Sequence, residues 1–342
     1  MTKILIAGYY GFGNWGDELI LSGIISQLKL KYPYVSLTVL SASPLTTSRV
    51  HNVNALSRWN PWLVFKSIWQ NDIFLLGGGG LFQDHTSTLS LFYYLALVGM
   101  GLFLQSSVVL YAVGVESISN PLARWLIRFL LGHQRVRVSV RDSRSKEILT
   151  SIGISENSIH VTRDPVFLNE IPQASVERFK DENKSVLLIP RFPTTGLFWD
   201  RLIEILKAEE WQIKAALFQP SSERSYLEKS VFQDIHLLPD FERPSSPSSL
   251  FQEVRKFNFV VSARFHGLVL AALMGRPFMG VGDPYKVEGF CREWGMPFLC
   301  WEADLAEIQV AVDRLLTLPP NPHQLDLKKW KDSAETALNF MD

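Results

Sequence analysis

Cations, one imidazole and a few carboxylates stand in this chain directly after short apolar runs of the kind that form buried strands. Arg141 follows Val138-Ser139-Val140, with Asp142 next and Ser145 just beyond. Arg191 follows Ile189-Pro190, and Arg264 and His266 follow Val260-Val261-Ser262-Ala263. Lys286 comes soon after the run that ends at Val281. One arginine of this kind is most often a solvated ion pair, and one histidine is most often a satisfied core group. Four cations at equivalent topological places instead suit a small anion that carries both phosphate and carboxylate. An imidazole among them gives or takes a proton near neutrality, since the ordinary histidine pKa is ~6.5.

Two glycine-rich turns accompany these groups. Gly11-Phe12-Gly13-Asn14-Trp15-Gly16 fits the pattern GxGxxG, which turns backbone N–H groups toward an anion at a helix N-terminus. A dinucleotide site would add an acid at the end of the second strand. That strand ends Val39-Leu40-Ser41-Ala42-Ser43, without one, which argues against a nicotinamide cofactor. Asp17 reads as the N-cap of the following helix and, with equal weight, as a base at the mouth of a site. The second turn, Gly77-Gly78-Gly79-Gly80, follows Asp72-Ile73-Phe74-Leu75-Leu76. Consecutive glycines cost conformational entropy, and their use is close approach of backbone to another group. Gln83 and Asp84 come next and suit sugar hydroxyls, with Asp84 alternatively capping the next helix.

The elements that must carry these groups alternate. Strands at Lys3–Ala7, Leu37–Leu40, Asp72–Leu76, Val108–Val113, Val136–Val140 and Ile159–Val161 interleave with helices at Glu18–Lys31, Leu122–Leu131 and Ser143–Ile152. The series restarts with strands at Val186–Ile189, Ile213–Phe218, Phe259–Ser262 and Pro277–Val281, and helices at Phe198–Ala208, Leu250–Arg255 and Gly267–Met274. Leu305–Leu316 and Leu327–Phe340 read as terminal helices, and Pro239–Ser249 as a loop. The fold class is therefore α/β with parallel sheets covered on both faces. The polar stretch Leu168–Lys184 separates two domains, 1–170 and 171–342, and a ligand is expected in the cleft between such halves.

The 342 residues suffice for two cores. Equal counts of basic and acidic residues, 34 each, argue against general nucleic-acid binding. Cys291 and Cys300 form no CxxC pair, so neither a zinc site nor a disulfide framework is expected, and a reducing compartment fits. The N-terminal apolar run is too short for a signal peptide. Leu89–Val115 holds no charge and is long enough to span a bilayer, but Gln105-Ser106-Ser107 breaks it, so it reads as a buried helix followed by a central strand. Trp59, Trp62, Phe65 and Trp69 are spaced as core residues usually are, with membrane contact as the alternative.

Together, Gly8–Glu18, Gly77–Asp84 with Thr86-Ser87, Val140–Ser145, Asp164-Pro165, Arg264–His266 and Asp283–Val287 resemble the polysaccharide pyruvyl transferase family, in particular its CsaB-like members. Two segments depart from its usual wording: Ala263-Arg264-Phe265-His266 stands for Met-Arg-Leu-His, and Tyr285 is inserted before Lys286. The resemblance implies two Rossmann-like domains in a GT-B-like arrangement, with the acceptor on the N-terminal side and the donor on the C-terminal side. It implies phosphoenolpyruvate as co-substrate without a further cofactor, and a sugar acceptor, often lipid-linked, that becomes a pyruvate ketal in polysaccharide or cell-wall biosynthesis. On this reading Asp17, His266 and Arg141 are catalytic, and Arg141, Arg264, Lys286 and Arg191 bind the donor. Gly11, Gly13, Asn14, Gly78, Gly79, Gln83 and Asp84 form the acceptor side. A cytoplasmic protein, peripheral at the inner face of the membrane, is expected. The rival classes are a GT-B glycosyltransferase with a nucleotide-sugar donor, and a non-catalytic anion-gated partner of a membrane exporter.

Overall fold

The computed structural model describes the chain except residues 86, 105, 171–183, 194–196, 243–246, 283, 319–323 and 340–342. Thr86 and Asp283, both part of the motifs above, and most of the interdomain stretch therefore lie outside the described residues. The chain divides into two compact units: Met1–Phe12, Asp17–Glu170 and Lys329–Asp342 form the first, and Gly13–Gly16 with Ile171–Lys328 the second.

The first unit holds a parallel sheet of seven strands: β1 (Lys3–Ala7), β2 (Ser36–Ser41), β3 (Asn54–Ser57), β4 (Ile73–Gly77), β5 (Ser107–Val113), β6 (Val136–Val140) and β7 (Ile159–Val161). Their order is β3-β2-β1-β4-β5-β6-β7. The second unit holds six: β8 (Ser185–Ile189), β9 (Gln212–Ala215), β10 (His236–Leu237), β11 (Phe259–Ser262), β12 (Phe278–Val281) and β13 (Phe298–Leu299), in the order β10-β9-β8-β11-β12-β13. Ile4, Leu5 and Ile6 on β1, and Leu187, Leu188 and Ile189 on β8, are fully buried. Burial of successive residues means that both sheet faces are covered, as parallel sheets require. In each sheet the chain first builds outward in one direction and then resumes on the other side of its first strand. The reversal falls between β1 and β4 in one unit and between β8 and β11 in the other. Right-handed crossovers then put the helices before and after the reversal on opposite sheet faces.

Local chemistry explains the helix starts. Asn60, Asn120 and Asp142 each accept a backbone N–H two or three residues into the helices Pro61–Gln70, Pro121–Leu131 and Ser143–Ile152. Proline at the first helical position gives up no bond there. Ser87 caps Thr88–Phe103 in the same way. That helix and β5 take up the uncharged stretch, and no described helix is long and apolar enough to cross a membrane.

Three expectations need correction. Pro239–Ser249 is not a plain loop: helices occupy Pro239–Glu242 and Pro247–Val254, because proline and serine also favour helix starts. Trp59, Trp62 and Trp69 are not core residues but are each more than 60% exposed. Finally, the last helix, Gln324–Asn339, does not stay with the second unit from Lys329 onward. Ala334 O accepts from the buried Tyr111 hydroxyl at 2.9 Å, and Ser333 O accepts from Thr162 Oγ1 at 3.0 Å. The Trp330 ring lies 4.9 Å from that of Phe167.

Candidate functional site

Each reversal of strand order leaves an opening beyond the carboxyl ends of two neighbouring strands, the usual ligand position in an open α/β sheet. In the first unit the two glycine turns follow the two strands that flank it, β1 and β4. The Tyr10 hydroxyl, fully buried, donates to Gly77 O at 2.6 Å and ties the turns together. Burial, followed by the charge of Asp17, holds that hydroxyl well above the usual tyrosine range. Gly11 and Gly78 have positive φ, and both are wedged. A Cβ on Gly11 would come within 2.1 Å of Ser41 Oγ, and one on Gly78 within 2.1 Å of Ile20 Cγ2. The glycine run is thus backbone in close packing rather than a loose loop.

Asp17 is not the helix cap. The helix begins at Trp15, and Asn14 Oδ1 accepts the Gly16 N–H at 3.1 Å. Asp17, 8% exposed, lies in the first turn, where the helix dipole favours a carboxylate. A Cβ on Gly79 would be 2.9 Å from its Oδ1. The Gly11 N–H is donated to Glu18 Oε1 at 2.8 Å, so this member of the GxGxxG loop is taken up by the protein's own carboxylate rather than by a ligand. Glu18, itself buried, pairs through its other oxygen with His51 Nε2 at 2.8 Å.

Arg141 is buried at the end of β6 between two carboxylates, with Nε 3.4 Å from Asp142 and Nη1 3.6 Å from Asp164. Its guanidinium lies so close under Gly114 that a Cβ there would be 2.9 Å from Cζ. Gly114 N–H donates to Gly79 O at 2.7 Å. A line of contacts therefore runs from Arg141 through Gly114 and Gly79 to Asp17. Asp84 does not cap the helix that follows it, a role Ser87 takes. Its Oδ2 accepts the N–H groups of Ser119 and Asn120, both at 2.7 Å, and so fixes the turn before Pro121. Asp84→Ala should therefore lower stability by about 1 kcal/mol, measured by thermal melts. Gln83 is half-buried beside it.

An aromatic cluster, not anticipated from the sequence, surrounds Arg58 at the carboxyl end of β3. Its guanidinium lies 4.5 Å from the Tyr93 ring centroid, 5.0 Å from Phe12 and 5.5 Å from Trp59. Nη1 donates to Gly8 O at 2.7 Å. Tyr9 stacks on Phe12 at 4.1 Å. The sequence signal was Arg58-Trp59-Asn60-Pro61-Trp62, but its partners come from elements far along the chain.

In the second unit, Arg191 follows β8 and is exposed, while Arg264 and His266 follow β11. These are the strands that flank the second reversal. Ser262 Oγ bridges the turn, accepting Arg264 N–H at 3.0 Å and donating to Arg264 O at 2.8 Å. The helix Phe265–Leu273 starts there, with His266 in its first turn. Arg264 is paired: Nη2 bonds Glu223 and reaches Gln219 Oε1 at 3.3 Å, while Glu223 is 2% exposed. Its Nε makes no hydrogen bond. Each of these two arginines thus carries less net positive charge than the sequence implies, because carboxylates 41 and 23 residues away neutralise Arg264 and Arg141 within their own units. Neither partner was visible in local sequence. Gly13–Gly16 joins this unit: Trp15 N–H donates to Phe218 O at 3.0 Å and its indole N–H to Phe241 O at 2.7 Å. Gly13, with positive φ, faces Ser221 at ordinary contact distance. A Cβ on Gly16 would fall 2.1 Å from His266 Nδ1, so only glycine lets the imidazole pack there. Lys286 is exposed in the stretch Pro284–Glu288.

A family model described as polysaccharide pyruvyl transferase matches residues 14–283. No curated protein matches the chain in sequence. Among solved structures, UDP-GlcNAc 2-epimerase from Methanocaldococcus jannaschii superposes with a TM-score of 0.64 at 14% identity, covering 100% of this chain and 99% of that one. The Rickettsia bellii UDP-N-acetylglucosamine 2-epimerase gives 0.63 at 14% identity, over 99% and 96%. The Neisseria meningitidis UDP-GlcNAc 2-epimerase, bound to UDP-GlcNAc, gives 0.62 at 14% identity, over 99% of each chain. At such identity the likeness is one of fold, which is α/β and GT-B-like.

Proposed function

The chain belongs to the polysaccharide pyruvyl transferase family, and from that premise we propose that it moves the enolpyruvyl group of phosphoenolpyruvate onto two hydroxyls of one sugar, forming a pyruvate ketal and releasing phosphate. The observation that carries the proposal is the placement of the motifs. In the first sheet the two glycine turns and Asp17, and in the second Arg191, Arg264 and His266, follow the two strands that flank the reversal of strand order, while Arg141 follows β6 and Lys286 follows β12.

The atoms balance as follows. A proton adds to the methylene carbon of the donor and makes it a methyl group. The neighbouring carbon, now oxocarbenium-like, takes one sugar oxygen and then the second as its bond to the phosphate oxygen breaks. The two hydroxyl protons are matched by the one gained at the methyl and the one carried off by phosphate. In this scheme His266 donates the proton to carbon, and Asp17 accepts from the attacking hydroxyl. The N-terminus of Phe265–Leu273, with Arg264, holds phosphate or carboxylate, and Lys286 and Arg191 add charge. Arg141, flanked by two carboxylates, acts by positioning Asp17 through Gly114 and Gly79. The aromatic faces of Tyr9, Phe12 and Trp59 suit the apolar face of a hexose. No further cofactor enters the scheme. The acceptor is a glycan sugar, lipid-linked in the form we favour, and the reaction belongs to the inner, cytoplasmic side of the membrane.

The test offers phosphoenolpyruvate with simple and lipid-linked glycosides and reads product mass and phosphate release. The expected product carries one added pyruvate less one water. In parallel, phosphoenolpyruvate should raise the melting temperature more than UDP-sugars do. The reverse order, with no ketal formed, would make the chain a nucleotide-sugar enzyme.

A further inference from the structure

Three helices of the first unit, Pro61–Gln70, Thr88–Phe103 and Pro121–Leu131, succeed one another along the chain after the reversal at β1 and lie side by side on one face of the sheet. Each presents an apolar stripe to solvent. On the first, Trp62 and Trp69 are exposed, seven residues apart, with the Phe65 ring stacked on Trp62 at 6.1 Å. On the middle helix Leu89, Ala96 and Phe103 repeat at the same interval, and all are exposed. On the third, Leu122, Trp125 and Phe129 are each more than half exposed, and the last two rings stack at 5.7 Å. Intervals of seven keep side chains on one helix face. Three adjoining stripes of this kind exceed the scattered apolar residues that a soluble surface tolerates.

The charges on these helices have one sign. Lys66, Arg124 and Arg128 stand on the two flanking helices, and none of the three helices carries Asp or Glu. The middle helix carries no charge at all. An uncharged centre bordered by tryptophans and cations is the cross-section of an element lying in a membrane interface. A second copy of the chain fits poorly, since a two-fold contact would set these cations against themselves with no acid to meet them. We infer that this three-helix face docks the protein onto an anionic lipid bilayer. The inference agrees with a lipid-linked acceptor, but it rests on surface chemistry, and its test contains neither donor nor sugar.

Full-length protein is sedimented with vesicles of phosphatidylcholine alone and of equal parts phosphatidylcholine and phosphatidylglycerol. It should pellet with the anionic vesicles and stay in solution with the neutral ones. Trp62→Ser/Trp125→Ser, which alters two exposed side chains and should melt like the parent, should bind about tenfold more weakly. Lys66→Glu should weaken binding with the tryptophans intact, and high salt should do the same. The inference falls if the parent ignores anionic vesicles or if the double variant binds as the parent does. It falls equally if light scattering shows a dimer in solution that the double variant disperses.

Discussion

Replacing His266 by alanine is expected to lower kcat for ketal formation by about a thousandfold while the melting temperature stays close to that of the parent. The ring is half-buried in the first turn of Phe265–Leu273, and what it leaves behind is a small hollow at a helix end. The loss should therefore appear in catalysis. Gly16→Ala provides the companion measurement. Gly16 sits in a helix without positive φ, so alanine suits its backbone, and helix propensity alone would favour the change by about 0.5–1 kcal/mol. Its Cβ, however, would lie 2.1 Å from Nδ1 and push the imidazole aside. A drop in kcat of about a hundredfold with the histidine still present would show that ring placement matters, as expected of a proton donor. Near-parental turnover by purified His266→Ala would remove the histidine from the mechanism.

Arg141→Ala should fail differently, by losing stability and activity together. Arg141 and Asp164 are both buried, and deleting the arginine takes away the cation beside a carboxylate that is 2% exposed. Breaking a buried pair from one side costs about 3 kcal/mol. The side chain also fills the space under Gly114, so Gly79 and with it Asp17 lose their backing. Arg141→Lys, which restores charge without the planar fork, should recover part of the melting temperature but less of kcat. If instead Arg141→Ala melts like the parent and only the KM for phosphoenolpyruvate rises, the arginine binds donor directly and the positioning role is wrong.

Much of this was legible in the sequence because it is local. Strands such as Lys3–Ala7 and Phe259–Ser262 are short apolar runs that end at glycine or charge, and a parallel sheet buried on both faces produces such runs. Edge elements were harder. Asn54–Ser57 and His236–Leu237 are short and partly polar because only one neighbour pairs with them. Pro61–Gln70 was masked by its tryptophans, although Asn60 and Pro61 mark its start. At the site, residue types and their positions at strand ends were readable, whereas partners were not. Nothing near Arg264 in sequence points to Glu223, and nothing near Arg141 points to Asp164. Ion pairs across a fold depend on sheet order, which no local pattern encodes. Asp17 was misplaced as a cap for a smaller reason: the helix starts three residues earlier, because Asn14 supplies the capping oxygen.

The C-terminal helix gives the chain an unusual order of assembly. Tyr111 and Thr162 find their acceptors at Ala334 and Ser333, and Phe167 finds its neighbour at Trp330. During synthesis the first unit thus emerges with a buried hydroxyl unsatisfied and an aromatic flank bare until the second unit has been made and residues 330–334 follow it. Loss of the final helix would unseal the half of the molecule that was made first.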